Sequence, residues 1–160
     1  MKILLKQSIV FSLLIITLFG CSKDSGTTPV VIPDTTKPTI SISKPSAGQV
    51  FTSGIAVVNI PFEATFADNV NLKSYSVAIS KKIVGGMILK IVPTSVPFAY
   101  TKSTTSLNSG VKSQVVTLSD INLPANTANQ IVTTGVYNLT VTCNDGSDNL
   151  ASTTIEFTIN

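Results

Sequence analysis

The sequence predicts an all-β protein, an antiparallel sandwich of about seven or eight short strands. Three observations carry that prediction. Apolar and polar residues alternate with a period of two in several separate stretches, clusters of Gly, Asn, Asp and Pro part those stretches, and beyond residue 20 no run has the apolar spacing of an amphipathic helix. The clearest case is 135–159. Tyr137, Leu139, Val141 and Cys143 share one face, and Asn138, Thr140 and Thr142 the other. After the polar turn 145–149 the pattern resumes with Thr153, Ile155, Phe157 and Ile159. One buried face on either side of a short turn describes an antiparallel hairpin.

The chain of 160 residues has room for one such domain. Residues 1–20 read as a signal peptide: Lys2 and Lys6 form a positive start, and 9–19 is an apolar run too short to span a bilayer comfortably. Leu18-Phe19-Gly20-Cys21 resembles the bacterial lipobox, with Cys21 the residue that would be lipidated; Phe19 departs from the usual small residue. Several acyl chains on Cys21 would give a stable membrane anchor. Residues 21–37, rich in Ser, Thr, Pro and Asp, cannot bury enough apolar area to order themselves and read as a tether. Asp34-Thr35-Thr36 resembles a short bacterial O-glycosylation signal with Thr35 as acceptor, although an ordinary turn before Pro38 is the plainer reading.

The domain is expected over 38–160. Ile40 and Ile42 open a first strand. Val58, Ile60, Phe62, Ala64 and Phe66 define a second, at an edge or bulged at Pro61, which cannot donate to a ladder. The turn 68–71 leads into a strand with Tyr75, Val77 and Ile79 inward. Gly85-Gly86 is expected to close a tight hairpin over 82–92 that is apolar on both phases, covered by the loop 93–100 or left as a partner surface. Residues 114–118 make a further strand, and 125–134 bridges to the closing hairpin. This pattern fits an immunoglobulin-like sandwich, in which Tyr137 takes the tyrosine-corner position with its hydroxyl capping upstream backbone. Trp and a second domain cysteine are absent, unlike antibody domains.

The lipobox, the Ser/Thr tether, Asp34-Thr35-Thr36-Lys37-Pro38-Thr39-Ile40, the 68–75 stretch, and Gly135-Val136-Tyr137 with Asp145-Gly146 and Asn149 together resemble Bacteroidota lipoproteins with one immunoglobulin-like domain, especially a family of unknown function. The shared motifs are structural, so that resemblance implies fold and an outer-membrane location more firmly than an activity.

The composition excludes much chemistry. There is neither His nor Arg, so no His-based nucleophile relay, no His-ligated metal and no guanidinium clamp. Removing Lys2 and Lys6 leaves nine lysines against eight acidic residues, a net charge of +1, with no basic patch for nucleic acid. Glu63 and Glu156 are expected on opposite sheets, too far apart for paired-carboxylate hydrolysis. Cys143, on an inward phase, reads as a small core residue. No catalytic residue is expected.

Two candidate sites remain. In this topology the turns 68–71 and 145–149 share one end, bringing Asp68, Asn69, Asp145, Asp148 and Asn149 together as oxygen ligands for Ca²⁺, unless these residues simply form side-chain turns. Elsewhere, Ile88, Phe98 and Tyr100 are the large side chains least explained by the core, and they mark a partner surface for a protein or glycan. The sequence therefore predicts a lipid-anchored, non-enzymatic binding or adhesion module on the cell surface. The alternatives are a periplasm-facing structural or accessory subunit of an envelope complex, or a calcium-stabilised module.

Overall fold

The computed structural model describes residues 32–83 and 95–160, and within them the alternating stretches become sheet. Twelve strands follow in order: β1 Thr39–Lys44, β2 Val50–Phe51, β3 Val58–Asn59, β4 Phe62–Ala67, β5 Leu72–Lys81, β6 Ser95–Val96, β7 Tyr100–Ser106, β8 Ser113–Leu118, β9 Asn122–Leu123, β10 Ile131–Val132, β11 Gly135–Asp145 and β12 Leu150–Ile159. One sheet has the order β1-β4-β8, the other β2-β12-β11-β5-β7, and two short ribbons join β3 to β9 and β6 to β10. This is the immunoglobulin-like sandwich. The stretch expected to be a signal peptide, Cys21, most of the expected tether, and the expected Gly85-Gly86 turn with Ile88 lie outside the described residues.

The two sheets meet over the residues that alternation marked as inward. Phe62, Ala64 and Phe66 of β4 face Tyr75, Val77 and Ile79 of β5, Tyr137, Leu139 and Val141 of β11, and Phe157 and Ile159 of β12, all buried. Ring contacts lock this core. Phe66 reaches Tyr75 across the sheets at 5.4 Å between centroids, and Tyr137 stacks on Phe157 at 5.9 Å. Such pairs add roughly 0.5–1.5 kcal/mol beyond the area they bury. Cys143 is fully buried beside them; burial first, and then the neighbouring Asp145 and Asp68 carboxylates, push its thiol up to about 11, so it is an inert core residue.

Three features differ in detail from the sequence expectation. The stretch 58–66 is not one strand: it breaks at Ile60-Pro61, so that β3 pairs with β9 while β4 pairs with β1 and β8. The missing N–H of Pro61 is where the chain changes partner. Second, the stretch 100–106 is a full edge strand, β7, antiparallel to β5 with Ile79 opposite Tyr100. Its sequence, YTKSTTS, is polar on both phases, which hid it. Third, Phe98, expected at a surface, is a core residue only 8% exposed, its ring 6.5 Å from Tyr137.

Tyr137 is the corner residue. Its hydroxyl donates to the Thr133 carbonyl at 2.5 Å and accepts the Phe98 N–H at 3.2 Å, so one buried side chain satisfies two loops. Just before it, Gly135 has φ near 123°, and a Cβ there would sit 2.7 Å from Lys81 Nζ, whose ammonium lies over the Tyr137 ring. The positive φ is what favours glycine here, since the end of the flexible Lys81 side chain can swing aside. Tyr137→Phe should keep the ring and strand both loops' polar groups, costing about 1–3 kcal/mol. Chemical denaturation would show this as a lower midpoint at unchanged slope; an unchanged midpoint would mean the corner adds nothing.

Candidate metal centre

Antiparallel pairing of β1 with β4 sets Thr39 opposite Ala67. The segment ahead of Thr39 must therefore pass beside the β4–β5 turn that begins at Asp68. The β11–β12 turn arrives at the same end, because β11 pairs with β5 up to Asp145 opposite Leu72. Three carboxylates from three separate stretches of chain meet there: Asp34, Asp68 and Asp145 each present an oxygen within 4.8 Å of the other two.

Each carboxylate is held by its own turn. Asp68 Oδ2 accepts the N–H groups of Val70 and Asn71 at 2.8 and 2.9 Å. Asp145, with no solvent exposure, accepts Ser147 N–H and Asn149 N–H on Oδ1, both at 2.8 Å, and the Asn149 amide on Oδ2 at 2.7 Å. Asp34 Oδ1 accepts Thr36 N–H at 3.0 Å and the Asn69 amide at 3.1 Å. The Asn149 amide also donates to the Asp34 carbonyl, tying the domain's opening residues to the far turn. Close approach is possible because residue 146 is glycine: a Cβ there would lie 1.9 Å from Asn71 Oδ1.

The turns 68–71 and 145–149 lie side by side, with the Gly146 N–H on the Asn71 carbonyl, but the five residues expected as ligands are not all directed at one point. Asp148 leaves the cluster, pairing with Lys73 at 2.5 Å and accepting the Asn144 amide. It sits at φ 66°, a left-handed position that turns it outward. Asn69 and Asn149 bring amide donors to the carboxylates. Asp34, assigned to the tether, joins instead, and the compact unit begins at Pro33. Its sequence signal was available: a carboxylate five residues ahead of a strand whose partner ends next to Asp68. Thr35 is exposed on the same segment.

Of the second candidate site, Phe98 is in the core and Tyr100 is half-buried at the start of β7, its hydroxyl shut off from solvent without a hydrogen-bond partner. Nearby, the 96–99 turn, Asn122, Pro124, Gln130 and Val132 line a cleft of about 390 Å³. It lies at the end of the sandwich opposite the three carboxylates.

The chain belongs to a family described as a domain of unknown function, DUF4625, whose model matches residues 19–160. No curated protein matches it. Among solved structures it is similar to a catalytically inactive OgpA from Akkermansia muciniphila bound to an O-glycopeptide substrate, at 11% identity and TM-score 0.42, covering 82% of this chain and 32% of that one. It also resembles the CARDB domain of a Pyrococcus furiosus protein in complex with two metal ions, at 15% identity and TM-score 0.38, covering 81% and 90%. A β-glucosidase from Listeria innocua aligns at 14% identity and TM-score 0.37, over 75% of this chain and 16% of that one. The chain thus spans about a third of the OgpA chain it matches.

The Thr36 N–H, then the Asn69 amide, hold Asp34 below the usual carboxylate range; Lys73 does the same for Asp148, and Ser43 followed by Lys44 for Glu63. A carboxylate whose folded pKa is depressed adds stability that is complete above its unfolded pKa, about 4, and is lost as pH falls through the folded value. With no His to titrate, the melting temperature should stay level from pH 8 to 5 and fall below about pH 4. Calorimetry across pH 2–8 checks this, and a level profile down to pH 2 would contradict it.

Proposed function

We propose that this chain is a lipid-anchored, non-enzymatic immunoglobulin-like module of the outer membrane, held at the cell surface to bind a protein partner. The observation that carries the proposal is the polarity of the domain along its strands. The opening residues join at the carboxylate end, and β11, 11 residues long, runs roughly 35 Å from there to the other end at about 3.4 Å per residue. The chain from Cys21 would enter the domain at the carboxylate end, which leaves the far end free of the attachment point.

Exposed aliphatic side chains occur at the far end: Val96 lines the cleft beside Phe98, Ile131 lies between its lining residues Gln130 and Val132, and Ile55 and Val57 precede β3, whose partner β9 contributes Asn122 to the cleft. Every aromatic ring among the described residues is buried or half-buried, so none is free to stack on a sugar. Exposed aliphatic groups without a ring platform suit a protein partner better than a glycan. The composition supports the non-enzymatic reading: no His, no Arg, and two glutamates placed on different sheets, each paired with a lysine.

Protease treatment of intact cells carrying a tag after Asn160, with a periplasmic protein as lysis control, tests the location. Loss of the tagged domain from unbroken cells is the expected result. Protection until the outer membrane is opened would overturn surface display and favour a periplasm-facing accessory subunit. Cys21→Ala should move the protein from the membrane pellet to the released fraction; retention in the pellet would overturn the anchor.

A further inference from the structure

We propose that Asp34, Asp68 and Asp145 hold one calcium ion, and that the ion clasps the opening segment of the domain to the β4–β5 and β11–β12 turns. The proposal is independent of the partner-binding reading and stands or falls on its own.

The spacing comes first. An ion 2.3–2.6 Å from each of three oxygens leaves those oxygens no more than about 5 Å apart. One oxygen from each of the three carboxylates meets that condition.

The second observation is independent of the first. Asp34 Oδ2 and Asp68 Oδ1 are shut off from solvent and meet no donor, while the other oxygen of each side chain is fully bonded to backbone N–H or amide groups. A buried oxygen that has lost water and found no donor is uncommon, and each instance calls for a reason. Of the four such atoms among the described residues, two fall at this site, both on half-buried carboxylates, where a cation would satisfy them.

Charge is the third. The lysines of the described residues that form ion pairs do so elsewhere, with Glu63, Asp148, Glu156 and Asp120. The groups that reach the cluster are neutral: backbone N–H and the amides of Asn69 and Asn149. Three carboxylate oxygens thus lie within 4.8 Å of one another with neutral donors around them, an arrangement a divalent cation would bridge.

The chemistry of the set selects the ion. All three ligands are hard oxygens, there is no His in the chain, and the nearby Cys143 thiol is buried in the core, so zinc and softer metals are disfavoured. Calcium tolerates irregular geometry, as a site assembled from three separate segments requires, and three carboxylates leave several of its six to eight positions to water or backbone oxygens. Magnesium demands a near-ideal octahedron at shorter distances.

The consequence is mechanical. Asp34 lies on the segment that leads into the domain, and Asp68 and Asp145 lie on the sandwich. With the ion bound, residues 34–37 are fixed to the domain and the direction in which the chain enters is set. Without it, among the described residues the Asn69 and Asn149 amides are the side chains that hydrogen-bond Asp34 from across the domain.

The test uses the full chain in detergent, with calcium chloride at millimolar concentration compared with chelator. The melting temperature should rise on the order of 5–10 °C when calcium is about 100 times its Kd. Hydrogen exchange of the amides at 34–37 should slow in parallel. Asp34→Asn and Asp68→Asn, which keep the shape and hydrogen-bonding reach of the side chains, should abolish both effects, and Asp148→Asn should leave both intact. No rise in the native chain would overturn the site. A rise retained in both Asp34→Asn and Asp68→Asn would put the ion elsewhere, and a rise without slower exchange at 34–37 would overturn the clasp. An equal response to magnesium would overturn the choice of calcium.

Discussion

A carboxylate with no access to solvent, Asp145, sets the arrangement of one whole end of this molecule. It ends the central strand β11, and its oxygens take up the two N–H groups and the amide that form the β11–β12 turn. The Asn149 side chain, fixed by that contact, reaches on to the Asp34 carbonyl, while Gly146 passes close enough to Asn71 for its N–H to meet the Asn71 carbonyl at 3.2 Å. Three stretches far apart in sequence are thereby brought to one place. A buried charge is costly unless hydrogen bonds or a counter-charge compensate it, and the shape of this end is the compensation.

The same strand organises the opposite end by a different device. Tyr137, near the start of β11, is neutral and satisfies Thr133 and Phe98 through one hydroxyl, while its ring packs on Phe157. Between these two points the strand is a plain ladder, paired on one side with β12 and on the other with β5. The apolar core supplies the stability, and the two ends of β11 decide how the loops are hung on it. One end gathers three carboxylates; the other carries the cleft beside Phe98.

Much of this was legible in the sequence, for a definite reason. Strands with one buried face announce themselves by alternation, as β4, β5, β11 and β12 do. Strand β7 was invisible because an edge strand exposed to solvent carries no such alternation: Thr101, Lys102, Ser103, Thr104 and Thr105 are polar on both phases. The break at Pro61 was readable as a defect but not as a change of partner, since pairing with β9 depends on a residue some sixty positions away. The meeting of the two turns followed from topology. Asp34 did not, because its segment looks like tether by composition, and only the register of β1 against β4 carries it alongside Asp68. Asp148 looked equivalent to Asp145 by residue type, and the difference lies in backbone direction: one points inward from the ladder, the other sits at a left-handed position facing Lys73.

A crystal structure grown in calcium tests the central claim, that the carboxylate end is a cation site joining the opening segment to the sandwich. The expected result is a single strong density peak with oxygens of Asp34, Asp68 and Asp145 all 2.3–2.6 Å away, and residues 34–37 ordered against the two turns. A cluster without such a peak, or a calcium ion coordinated without Asp34, would contradict it.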